Sequence, residues 1–261
     1  MPKQSSLAKL TQPRLFGVAG RVRLHAQLDK ERASHPVVWI VGPPGAGKTT
    51  LVASYLDARE LPVIWYQVDS GDSDLATFFY YMGLAGRAAA KRKRLILPLL
   101  TPEYLSDLPG FTRRFFRNLF STVSEPPILV LDNYQEVIPG SVFHTVIDVV
   151  ISELPLGYSL IAISRTDPPP QLARALANNL IGQINWNDLR LTLEETKAIV
   201  ATTGLLEFTE ETLTLLQEQT NGWIAGLVLM MERFKETGAI NHTYQSETMG
   251  TVFNYFTGQV F

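Results

Sequence analysis

Up to about residue 188, short unbroken apolar runs alternate with stretches in which hydrophobic residues recur at helical spacing. The runs are Val37-Val-Trp-Ile-Val41, residues 61–68, Ile128-Leu-Val-Leu131, residues 160–165 and residues 180–186. Each is short, rich in β-branched or aromatic residues and without polar alternation, the pattern of strands covered on both faces of a parallel sheet. Between them the spacing predicts a short helix over 24–32 with Leu24 and Leu28 on one face, and a helix opening near Lys48. A third carries Phe78, Phe79, Tyr81 and Met82, and a fourth covers 111–123. The fourth turns Phe115, Phe116, Leu119 and Phe120 inward and Arg113, Arg114 and Arg117 outward, and a fifth helix spans 171–177. Residues 1–12 read as polar and loosely held, and 95–109 as a proline-punctuated connecting loop. Alternation of this kind predicts an α/β fold with a parallel β-sheet flanked by helices.

Beyond Leu189 the strands stop. Thr192 and Glu195 form a capping box, Thr209 with Glu210 and Glu211 starts a second helix, and Asn221 is expected to cap a third. On that third helix Trp223, Leu227, Met230, Met231 and Phe234 make an apolar stripe, read as the centre of a small helical domain. The expected organisation is therefore 1–188, an α/β domain with its N-terminal segment, and 189–236, an all-α domain, followed by a polar linker over 237–248. Residues 249–261 place Val252, Phe253, Phe256 and Val260 on one helical face with nothing left to complete a domain. The chain is thus expected to be a piece of a longer protein.

Composition narrows the function classes. The 261 residues are 46% hydrophobic, enough for a sizeable core, and the net charge of −2 gives no electrostatic footprint for nucleic acid or an anionic membrane. The one basic run, 87–94, lacks interleaved aromatics and reads as a solvated helix face or loop. No cysteine is present, which rules out disulfides and thiolate metal sites and fits a reducing cytoplasm. There is no secretory signal and no apolar stretch of the roughly 18 residues a membrane span needs.

The chemistry is concentrated at the strand ends. Directly after the first strand comes Gly42-Pro43-Pro44-Gly45-Ala46-Gly47-Lys48-Thr49-Thr50, the pattern G-x-x-x-x-G-K-[ST] of a phosphate-binding loop. Its glycines allow backbone N–H groups to turn inward around a polyphosphate, Lys48 is expected to reach the β- and γ-phosphates, and Thr49 to offer its hydroxyl to Mg2+. Ile128 to Leu131 ending in Asp132 is a Walker B pattern, with Asp132 as the second Mg2+ ligand, direct or through water. The next position is Asn133, which can orient a water but cannot accept its proton, so general-base catalysis must use another carboxylate or be poor. Asp69 and Glu136 are candidates, and Asp69 fits a turn cap as well as a place near the γ-phosphate. Arg165, at the end of the fourth strand, fits either a solvated terminus or a cation that reads the γ-phosphate. Arg21 and Arg23, on the N-terminal segment, fit a solvated helix or a passage beside the nucleotide base.

With those motifs in place the chain resembles the nucleotide-binding core of the STAND signal-transduction ATPases, and within them the MalT-like bacterial transcriptional regulators. The resemblance is carried by the P-loop through Leu51, Trp65-Tyr66-x-Val68-Asp69 with Asp72, and Leu129 to Tyr134. Ser164-Arg165, Leu189 to Glu195, Gly222-Trp223-Ile224-Ala225-Gly226-Leu227 and Val252 to Phe256 extend it to nearly the whole chain. It implies an ATP/ADP switch that exchanges nucleotide when an inducer binds a C-terminal sensor domain, self-associates in the ATP state and engages an effector domain. It further implies that Gly20 and Arg21, or their neighbours, contact the adenine and ribose, that Arg165 senses the γ-phosphate, and that the Gly222 to Leu227 turn, with Ile224, closes over the base. Two departures stand out: Asn133 where many relatives carry an acid, and Ile224 where many carry proline. Residues 249–261 resemble the start of a winged-helix domain. The alternative is an efficient AAA+-like mechanochemical ATPase, from which Asn133 points away.

Overall fold

The computed structural model describes residues 7–90, 96–123, 125–202 and 208–237. Residues 91–94 of the basic run, nearly all of the 237–248 linker and the winged-helix start at 249–261 lie outside the described residues. The elements run α1 (Val22–Ser34), β1 (Val37–Val41), α2 (Lys48–Ala58), β2 (Val63–Gln67), α3 (Leu75–Ala89), α4 (Leu108–Thr122) and β3 (Ile128–Asp132). They continue with α5 (Val142–Ser152), β4 (Ser159–Ser164), α6 (Ala173–Ala177), β5 (Ile181–Ile184), α7 (Trp186–Leu189), α8 (Leu193–Thr202), α9 (Glu210–Thr220) and α10 (Ile224–Thr237).

The five strands form one sheet in the order β2-β3-β4-β1-β5, and every neighbouring pair is parallel. Because side chains alternate along a strand, each apolar run feeds both faces. Val37, Trp39, Tyr66, Leu129, Leu131 and Ala162 pack against the aromatic faces of α3, α4 and α5. Val38, Ile40, Val130, Ile161 and Ile163 pack against Leu24 and Leu28 of α1 and Leu51 to Leu56 of α2. A separate apolar cluster, Leu191, Val200, Leu213, Leu216, Leu227 and Met231, holds α8, α9 and α10 together. Both bonds of the Thr192–Glu195 capping box are present, with the Glu195 amide donating to Thr192 Oγ1 and the Thr192 amide to Glu195 Oε2.

Several expectations are corrected. Helix α5 lies where no element was expected: seven of its eleven residues are buried, and Thr145, Asp148 and Ser152 mark a narrow polar stripe on its outer side. The 95–109 loop contains a 3-10 turn at Pro102–Asp107, and Asp107 caps α4 three residues before the expected start. Asn221 does not open the third helix: it ends α9 in the left-handed conformation at φ 49°, and its side chain accepts from Arg190. Trp223 leaves the apolar stripe altogether, for its indole hydrogen bonds outside the helical cluster.

The N-terminal segment, expected to be loose, is pinned over residues 7–12. Lys9 Nζ donates to Asp69 Oδ2 at 2.5 Å and Asp72 Oδ2 at 2.8 Å and lies over the rings of Tyr66 and Tyr81. Gln12 donates to Ala53 O and Asp57 Oδ1. Asp72 is fully buried and also accepts from Tyr66 Oη, so Lys9 is its cation. Removing one partner of such a pair leaves an uncompensated buried charge. Lys9→Met keeps the apolar stem and is expected to lower unfolding free energy by about 3 to 5 kcal/mol in a urea titration, with Asp72→Asn in the same chain restoring much of it. An unchanged midpoint for Lys9→Met would mean that the segment does not hold the sheet edge.

Candidate functional site

β1 is buried between β4 and β5, and its last residue delivers the chain into the glycine-rich loop at the carboxyl edge of the sheet. Gly45 at φ 70° and Gly47 at φ 77° occupy the left-handed region that side chains resist. Gly47 is the N-cap of α2, so the positive end of that helix faces the loop. The four carbonyls from Gly42 to Gly45 are all engaged. Lys48 Nζ donates to Gly42 O at 2.6 Å and Pro43 O at 2.9 Å. Trp223 Nε1 donates to Pro44 O at 2.9 Å, and the Ala225 amide donates to Gly45 O at 3.1 Å. Burial lowers the Lys48 ammonium to about 8, the Arg165 cation works in the same direction, and Asp132 opposes both.

Beside the loop, Thr49 Oγ1 donates to Asp132 Oδ1 at 3.0 Å, and the Asn133 amide donates to the same oxygen at 2.9 Å. Asp132 is only 4% exposed, and burial raises its carboxyl above the ordinary range against the pull of Thr49, the Asn133 amide and Lys48. A threonine hydroxyl and a carboxylate oxygen side by side are hard oxygen donors, the kind Mg2+ takes when phosphate and water supply the remainder of its octahedron. Among the described residues there is no group of three or more His, Asp or Glu side chains that holds a metal by itself. The residues present therefore fit a Mg2+–phosphate pair and not a protein-only cage. Gly45 and Gly47 need glycine for their positive φ, and the space a Cβ would take there is filled by Ala225 and Ile224 of α10, at 2.5 and 2.6 Å.

Asn133 follows in the left-handed conformation, φ 58°, at the mouth of a 3-10 turn. Gln135 then bridges two strand ends: its Oε1 accepts from the Arg165 amide, while its Nε2 donates to Glu136 Oε1 at 3.1 Å and reaches Asn133 Oδ1 at 3.5 Å. The Arg165 side chain is exposed. Asp69 caps the turn at Ser70–Ser73 and pairs with Lys9, and Glu136 is the partner of Gln135. The two carboxylates singled out beside Asn133 are thus committed to other bonds.

A cavity of about 170 Å³ adjoins the loop, walled by Gly17, Val18 and Ala19 on one side, Thr50 and Ser54 below, and Ile199 and Ile224 opposite. Gly20 stands in open space beside this wall. Arg21 also lines the cavity, but its Nη2 donates to Leu189 O at 2.8 Å and to Glu195 Oε2 at 2.9 Å, with Arg190 O at 3.2 Å. Arg23 reaches the same Glu195 oxygen, so these arginines tie the N-terminal segment to the start of α8. Gly42, Pro43, Pro44, Gly45, Ala46, Gly47, Lys48, Thr49, Thr50, Asp132, Arg165 and Ile224 are brought to one place, whereas Asp69 is turned to another task. Trp223, Ala225 and Gln135 belong to the same place without having been singled out. For Trp223 the only signal was its position in Gly222-Trp223-Ile224-Ala225-Gly226; Ala225 acts through its amide, which no residue type announces.

No family model matches the chain. In sequence it is similar to the HTH-type transcriptional regulator MalT of Serratia proteamaculans, 27% identical over 225 residues that cover 85% of this chain and 24% of the relative. The chain thus spans a quarter of that relative's length. In three dimensions it is similar to the Walker-type ATPase of Pyrococcus abyssi, with a TM-score of 0.58 and 15% identity over 93% of this chain and 75% of that one. Domain III of the Thermotoga maritima replication initiation protein DnaA overlays with a TM-score of 0.44 and 19% identity, over 88% and 91% of the two chains. The fold is that of a P-loop NTPase and the sequence is MalT-like. Among the described residues no helix is long and apolar enough to cross a membrane.

The buried lysine sets a pH signature. Lys48 titrates near 8 in the folded chain against an ordinary 10.5, so between those values the unfolded chain binds the additional proton and the contribution of this group to stability rises with pH. Comparing urea unfolding of the nucleotide-free wild type with Lys48→Met, the difference should move in favour of the wild type from pH 8 to pH 10.5, by up to about 3 kcal/mol. A difference that stays flat across that range would place the ammonium in solvent.

Proposed function

We propose that this chain is the ATP/ADP-binding core of a STAND-type, MalT-like signalling switch, Mg2+-dependent and slow to hydrolyse. The observation that carries it is the Thr49–Asp132 pair, 3.0 Å apart, set beside a glycine-rich loop whose lysine is buried. On this reading the loop amides and the α2 terminus hold the phosphates, and the Lys48 ammonium leaves Gly42 O and Pro43 O for the β- and γ-oxygens. Mg2+, when bound, neutralises phosphate charge, with Thr49 and Asp132 as its protein ligands. The cavity beside Thr50 and Ile224 takes the base, and Arg165, whose side chain is free to turn from the strand end, reads the γ-phosphate.

Slow hydrolysis follows from the same residues. Asn133 can orient a water through its amide but cannot take its proton, and Asp69 and Glu136 are held by Lys9 and Gln135. A nucleotide that is kept and not consumed suits a switch. The reading further takes 1–188 and 189–236 as the two working parts, with sensor and effector segments elsewhere in the polypeptide and self-association in the ATP state, by resemblance to the MalT-like regulators.

Denaturing the purified chain and identifying the released nucleotide, beside a multiple-turnover assay, tests this directly. Bound ADP or ATP with turnover far below the roughly 10 s⁻¹ enzyme median is expected. An empty site with fast turnover would favour the AAA+-like mechanochemical enzyme. Asn133→Asp, which installs a carboxylate in a conformation aspartate tolerates, should raise turnover about a hundredfold or more, the usual worth of a positioned base. Arg165→Ala should weaken ATP while sparing ADP.

A further inference from the structure

The first turn of α10 touches the glycine-rich loop through a hydrogen bond from a side chain, another from the backbone, and close apolar contact. Trp223 Nε1 holds Pro44 O at 2.9 Å and the Ala225 amide holds Gly45 O at 3.1 Å. Ile224 lies so close that a Cβ on Gly47 would come within 2.6 Å of its Cδ1. In a planar trans peptide the C=O and the following N–H point in opposite directions. Fixing Pro44 O toward the indole therefore turns the Gly45 N–H away from α10, and fixing Gly45 O does the same for the Ala46 N–H. Pro43 and Pro44 have no N–H to offer and the Ala46 N–H donates to Pro43 O at 3.3 Å, so Gly45 carries the first amide the loop can present to an anion.

We infer that Trp223 is a positioning residue of this loop: by holding Pro44 O it sets the orientation of the Gly45 amide, so phosphate binding and the seating of α10 strengthen one another. The inference rests on the nucleotide-binding reading above. It makes the helical segment part of the phosphate site, besides being a wall of the cavity. Coupling of this kind is reciprocal, so phosphates on the ligand must tighten α10 as much as α10 tightens their hold.

Trp223→Phe keeps an aromatic ring and removes the donor. With calorimetric titration of ADP, ATP and adenosine, the variant should lose about three- to tenfold in affinity for ADP and ATP, the worth of one neutral hydrogen bond, and nothing for adenosine. In the wild type ADP should slow amide exchange over residues 224–231 by hydrogen-exchange mass spectrometry, and in the variant that slowing should shrink by the same factor. Should Trp223→Phe unfold within the assay range, Ala225→Pro, at a first-turn position where the helix tolerates proline, replaces the other donor with a ring carbon that pushes Gly45 O away from α10, and a loss for ADP and ATP without one for adenosine is again expected. Equal affinity of variant and wild type for ADP would overturn the inference, as would an equal loss for adenosine and ADP, which would make Trp223 a wall of the base cavity. A wild-type chain that binds no ADP sinks the nucleotide reading together with this one; tight wild-type binding with an unaffected variant sinks this one alone.

Discussion

A loop that presents several amide N–H groups to one side must satisfy the carbonyls that point to the other, since buried backbone acceptors left unpaired are costly. Between Gly42 and Gly45 that requirement is met from two unrelated sources. Lys48, from the helix that the loop itself begins, takes the first two carbonyls, and Trp223 and Ala225, nearly two hundred residues on, take the next two. The first pair is exchangeable, because a long side chain can swing from carbonyl to ligand. The second is built from backbone and a rigid ring and can be broken only by moving α10. Half of the loop is thus adjustable by rotamer and half by displacement of a helix, and the α8–α10 cluster has mechanical access to the site for this reason.

Sheet order determines what can surround that loop. In the order β2-β3-β4-β1-β5, β4 separates the strand that feeds the loop from the strand that ends in Asp132. Thr49 crosses this gap to reach Asp132, and Gln135 crosses from the end of β3 to the Arg165 amide at the end of β4. Three strand ends converge in the crevice where ligands bind in open parallel sheets. The tie between Arg21, Arg23 and Glu195 closes the other side, joining the segment that walls the cavity to the helix that faces it.

The strands, the loop and Asp132 were legible in the sequence because each depends on local chemistry: an apolar run too short for a helix, glycines at fixed spacing, an acid at a strand end. Helix α5 was not, because its polar stripe of Thr145, Asp148 and Ser152 is narrow and its buried side includes a histidine, which blurs the periodicity by which a helix is recognised. Asn221 was assigned to the wrong helix, since asparagine serves N-caps and left-handed helix ends alike and only the backbone angle separates the two. Trp223 was counted with Leu227 and Met231 on spacing alone, and spacing carries no information about an indole N–H seeking a distant carbonyl. Lys9 escaped for the same reason: its partners, Asp69 and Asp72, lie some sixty residues away. What stayed hidden was a long-range polar contact, a helix end that shares its residue type with a helix start, or a helix with a narrow polar side.

The charges in the crevice bear on why Asn133 stands where an acid would serve hydrolysis. Lys48 is depressed by burial and by Arg165, and Asp132, itself raised by burial, offsets only part of this. Without an anion the crevice therefore carries a surplus of positive charge, part of it on the buried Lys48 ammonium, although the whole chain is net negative. A polyphosphate removes that surplus, and its binding is favoured by all the unfavourable burial that the free site endures. A carboxylate at position 133 would supply a proton acceptor and at the same time cancel part of the surplus that draws the nucleotide in. Asparagine keeps the geometry of a water-orienting side chain and leaves the attraction whole. On the proposed reading the substitution exchanges turnover for retention, and retention is what a switch requires of its nucleotide.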